Sequence, residues 1–161
     1  MDFIEFFRSG DFQQFRAAMD AIDRLDLLIL KAHIVIEHRL AHVLATRLGV
    51  ESAHISTLRL GFEKLAKLAL GREAERDFLA QILSFAKVRD RIAHRLETAE
   101  YVGDFASLAN RVMPQIPWPK DSQRQLQLCR FMFSFLLFQL GRAQYDLSTE
   151  PFHPSMWPGG V

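Results

Sequence analysis

The sequence predicts an all-α fold, a bundle of about five helices in a single domain. Three observations carry this. Apolar residues recur at three- and four-residue spacing, the period of one helix face. No stretch alternates polar and apolar residues long enough to make a sheet. Gly49, Gly71 and the cluster Pro114, Pro117 and Pro119 fall where the periodic stretches end.

Taken in order, a short amphipathic opening over residues 2–8 stops at Ser9-Gly10. A long periodic segment over 12–48 then ends at Gly49, a residue suited to a left-handed helix cap, and can break near 20–26. On it Leu30, Ile34, Ala41, Leu44 and Leu48 form an apolar stripe, and Glu37 falls on that stripe. A carboxylate on a packed face is costly unless paired. The expectation is a supporting Glu37, buried or nearly so, satisfied by hydrogen bonds or by a cation from the helix that carries Arg89, with Arg89 the first choice. The next helix covers about 56–70 and closes at Gly71, and a fourth covers about 73–88. The prolines exclude regular helix over 110–120. Asp121 or Ser122 can cap the last helix, which runs to about Tyr145. Its residues 131–140 are apolar in nearly every direction, so it is expected to be buried all round. Such a helix can be central in its bundle or complete its burial against a second copy; the expectation is a homodimer with this helix at or beside the interface. Residues 148–161, with three prolines and two glycines, read as an irregular tail behind a single domain over 1–147.

Composition narrows the function classes. A 49% hydrophobic chain of 161 residues with 14 Phe can build its core without disulfides or metal. A single cysteine, Cys129, admits no intrachain disulfide, fits a reducing compartment, and sits in a Phe/Leu run as a buried, inert thiol. The opening Met1-Asp2-Phe3-Ile4-Glu5 is acidic where a signal peptide is basic. The apolar run 131–140 is about half a membrane span. These features predict a soluble, cytoplasmic protein with no membrane partner. There is no phosphate-cradling glycine loop, no Gly-x-Ser-x-Gly and no Cys-x-x-Cys. His38 and His42 stand at a spacing that can bind one metal, with His33 and Glu37 nearby. Neither Glu-x-x-His nor His-Glu-x-x-His occurs there, so surface or core histidines are expected, with no metal and no cofactor.

The chemistry concentrates in Val88-Arg89-Asp90-Arg91-Ile92-Ala93-His94-Arg95. Between positions 87 and 95, Lys87, Arg89, Arg91 and Arg95 face one carboxylate, Asp90, in a chain of net charge +1. Such a concentration of cations favours an anionic ligand. Arginine grips phosphate oxygens with a planar fork, and histidine transfers protons near neutral pH. In an unbroken helix five residues turn through about 500°, leaving Arg89 and His94 roughly 140° apart. One shared site therefore needs a helix end or kink between them, or a second copy of the chain.

The run Leu83-Ser84-Phe85-Ala86-Lys87-Val88-Arg89-Asp90-Arg91-Ile92-Ala93-His94 resembles the signature of the HEPN superfamily. That signature is an arginine followed by a polar residue, then a histidine after four to six residues, in a small all-helical domain. Ile92-Ala93 resembles the small apolar pair before the histidine. The helix around Leu30-Lys31-Ala32-His33-Ile34-Val35-Ile36-Glu37-His38-Arg39-Leu40 is similar to the family's preceding helix, which often carries a glutamate. The resemblance spans roughly residues 20–145. It implies a metal-independent endoribonuclease, as in toxins and phage-defence effectors, acting on RNA and restrained by an antitoxin or other protein partner. It assigns Arg89, Asp90 and His94 to catalysis. Lys87, Arg91 and Arg95 would follow the RNA backbone. The chain differs from the commonest active pattern in carrying aspartate after the arginine and in lacking a tyrosine near the histidine. The alternative the family offers is a non-catalytic regulatory or interaction module, like relatives of the mannitol-operon regulator.

Overall fold

The computed structural model describes residues 8–94 and 101–145. The expectations for the opening before residue 8, for Arg95 and for the tail from 148 lie outside the described residues. The described residues form seven α-helices and no strand: α1 (Gly10–Asp20), α2 (Leu25–Leu48), α3 (Ser52–Thr57), α4 (Phe62–Ala69), α5 (Arg76–His94), α6 (Tyr101–Val112) and α7 (Ser122–Gln144). A 3₁₀ turn, Glu73–Glu75, leads into α5. The all-α expectation holds, with more and shorter helices than five.

Local chemistry sets the boundaries. The Ser9 hydroxyl accepts from the Phe12 N–H at 3.3 Å and starts α1, whose Phe12, Phe15 and Met19 face the core. The break inside 20–26 is real, and Arg130 fixes it. Its guanidinium donates to the carbonyls of Met19 (3.2 Å), Asp20 (3.0 Å) and Ile22 (2.6 Å). Gly49 closes α2 in the left-handed region at φ 66°, where a side chain is disfavoured. The single helix expected over 56–70 is two, because the chain turns at Arg59, which holds a positive φ of 48°. The α6 helix is not anticipated by the sequence reading above, although Tyr101, Phe105, Leu108, Ala109 and Val112 carry the helical period. Asp121 caps α7, accepting from the N–H groups of Gln123 (3.0 Å) and Arg124 (3.2 Å).

One apolar core joins these elements. The α7 helix lies at its centre, packed against α1, α2 and α6, with Phe133 edge-on to Phe85 of α5 at 5.5 Å. Every residue from 131 to 140 is buried within the one chain. This corrects the surface argument for a homodimer: four neighbouring helices enclose α7, so no second subunit is needed to cover it. At the far end of the bundle, Arg47 of α2 reaches the Glu75 carboxylate, 3.0 Å from Nη1 to Oε2, and the carbonyl of Ala143 at 3.1 Å. It also donates to the carbonyl of Ala69. This nearly buried pair ties the ends of α2, α4 and α7 to the turn before α5.

Candidate functional site

The α2 helix buries only part of the face expected. Leu28, Ile29, Ala32, Ile36, Leu40 and Val43 are buried, and Ala41 and Leu44 of the expected stripe with them, whereas Ile34 is 62% and Leu48 60% exposed. One position corresponds to about 100° on a helix, so a core line through Ile36 swings Glu37 toward the rim. The Glu37 side chain is 44% exposed. It is neither buried nor paired with Arg89, which corrects the expectation drawn from the stripe.

The residue that α2 places inward beside it is His33. Its ring is almost wholly buried, stacked on Phe62 of α4 at 4.4 Å and lying 6.0 Å from Phe85 of α5. Nδ1 is 3.9 Å from Glu37 Oε2. Burial, and then the positive charge of Arg89, pull the imidazole pKa down to about 4, partly offset by Asp90. The ring is therefore neutral at pH 7, and its approach to Glu37 is a contact with a dipole and not an ion pair.

Between α2, α4 and α5 opens a cleft of about 800 Å³. Its walls include His33, Glu37, Phe62, Arg89 and Asp90, with Lys64, Lys67 and Lys87 at the basic side. Arg89 Nη1 donates to Asp90 at 2.8 Å, and its buried Nε has no partner within the protein. The Nε lies too deep to meet a ligand; with its side chain 34% exposed, the guanidinium is turned by its neighbour and is reached from the cleft through its outer part. Lys67 is engaged with Glu63 at 2.6 Å.

The other predicted residues separate. Lys87 lines the cleft. Arg91, two positions beyond Arg89, points elsewhere and pairs with Asp104 of α6. His94 is the exposed last residue of α5 and is not among the cleft's walls. Because α5 runs unbroken from Arg76 to His94, the kink that would bring Arg89 and His94 together within one chain is absent. The sequence singles out Glu37 on α2, whereas His33 reads as an ordinary histidine. The four-residue spacing of His33 and Glu37 was the available signal.

His38 and His42 do meet, Nε2 to Nε2 at 3.0 Å. No group of three or more potential metal ligands converges among the described residues. No helix among them is long and apolar enough to cross a membrane. Compared with known proteins, the chain matches no family model, no curated protein and no solved structure.

Proposed function

We propose that this chain is a HEPN-type RNA-binding domain with metal-independent endoribonuclease activity. The observation that carries the reading is the position of Arg89. It stands in an open cleft that Lys64 and Lys87 also line, oriented by Asp90 and with its side chain 34% exposed. A guanidinium so placed suits a phosphodiester and the charge that grows on it during transfer. RNA brings its own nucleophile, the 2′-hydroxyl, so the products are a 2′,3′-cyclic phosphate and a 5′-hydroxyl end. The resemblance gives the proton transfer to His94. On an unbroken α5 that role needs a second copy, whose motif would complete the cleft; a homodimer is part of this proposal. Such an activity fits a toxin or defence effector held in check by a partner protein.

A second reading, a binding module without catalysis, is favoured by the absence of His94 from the cleft walls. Binding and cleavage of one single-stranded RNA in excess chelator separate the two. Charge-assisted hydrogen bonds contribute about 1.5–3 kcal/mol, so Arg89→Ala is expected to weaken binding roughly 10- to 100-fold. RNA that is bound through Arg89 yet stays intact supports the second reading. Binding that is indifferent to Arg89→Ala removes both.

A further inference from the structure

We propose that His33 is a catalytic residue of the Arg89 cleft, the base that takes the proton from the attacking 2′-hydroxyl. This rests on the ribonuclease reading and deepens it. It gives the cleft a proton acceptor from its own chain, whose His94 does not line it.

The placement carries the argument. His33 lies on the cleft wall shared with Arg89 and Asp90. Glu37 lies one helical turn on, its carboxylate 3.9 Å from Nδ1 and on the same cleft wall, a carboxylate close to the ring but not hydrogen-bonded to it. The ring packs in a triangle with Phe62 and Phe85, whose centroids are themselves 6.3 Å apart; a phenylalanine would serve that apolar packing as well, so packing alone gives no reason for histidine here. The ring is also kept neutral, as a base must be. Burial is the larger cause of the ring's low pKa and the charge of Arg89 the second; a phosphate held by Arg89 would offset the second and raise the ring's basicity once substrate is bound. The charged groups that line the cleft with the ring are Glu37 on α2, Glu63, Lys64 and Lys67 from α4, and Lys87, Arg89 and Asp90 from α5.

The step balances without a metal or redox partner. The 2′-hydroxyl proton moves to His33 as the 2′-oxygen bonds to phosphorus. The bond from phosphorus to the 5′-oxygen breaks, and that oxygen takes a proton from water. The hydroxide left behind takes the proton from His33 and restores the neutral ring.

The test is RNA cleavage by the full chain in excess chelator, comparing wild type with His33→Phe. General-base catalysis contributes about 10²–10⁴-fold. His33→Phe is expected to lose that factor while unfolding cooperatively and binding a 2′-deoxy strand as wild type does. In wild type kcat/KM should rise through an acid limb near pH 4, where the free imidazole titrates, and the variant should lack that limb. Wild-type rate and an unchanged limb in the variant overturn this role and leave the ribonuclease reading standing. An inert wild type overturns both. If the phenylalanine variant does not fold, His33→Gln is measured in its place, with the same outcomes decisive.

Discussion

His33 shows how one side chain can tie stability to the site. Its imidazole is charged below about pH 6.5 in the unfolded chain but only below about 4 in the fold. Between those values the unfolded state binds the extra proton, so stability falls as pH drops through this window. At pH 4.5 the loss relative to pH 7 from this group alone is about 2–3 kcal/mol. His33→Phe should remove that part of the acid sensitivity, read as the difference in denaturant unfolding free energy between the two pH values. An equal loss in variant and wild type would mean that the ring is not held neutral. At the same scale, Cys129 is fully buried and its thiol pKa is pushed well up by that burial. It should resist a thiol reagent in native buffer and react on unfolding.

Among the elements, the ends of helices are held by groups that single-segment reading does not connect. Gly49 was legible, since a glycine after a periodic run is the usual left-handed stop. Gly49→Ala should cost about 1 kcal/mol, because an L side chain at positive φ is strained; thermal unfolding checks it. The Asp121 cap and the proline-rich link before α7 were legible for the same local reasons. The Arg47–Glu75 pair was not. The two residues are 28 positions apart and meet only because α2 and the turn before α5 end together. Glu75→Ala leaves the Arg47 guanidinium without its carboxylate in a buried site and should destabilise the fold by roughly 3–5 kcal/mol. The stripe on α2 misled for a related reason. A long helix touched on several sides offers more than one apolar line, and tertiary packing decides which is buried. Of the expected stripe Ala41 and Leu44 reach the core, while Ile34, Leu48 and Glu37 are turned outward.

For the whole molecule, the same limits explain what was readable about function. The charge concentration at Arg89 is a local property, visible in the sequence, and the fold places Arg89, Asp90 and Lys87 together in the cleft. Partners supplied by distant segments, Phe62 and His33, are a product of topology and were not seen as part of a site. The burial of α7 was legible as a requirement, but not its means, because four enclosing helices and a second subunit satisfy it equally well. The most decisive measurement uses a DNA strand carrying one ribonucleotide, incubated with the purified chain in excess chelator. We expect a single cut directly after the ribonucleotide, leaving a 2′,3′-cyclic phosphate and a 5′-hydroxyl, and no cut by Arg89→Ala. Cuts at deoxynucleotides, cleavage that returns only when a divalent ion is added, or a strand left intact under conditions where it binds would each rule out the proposed ribonuclease.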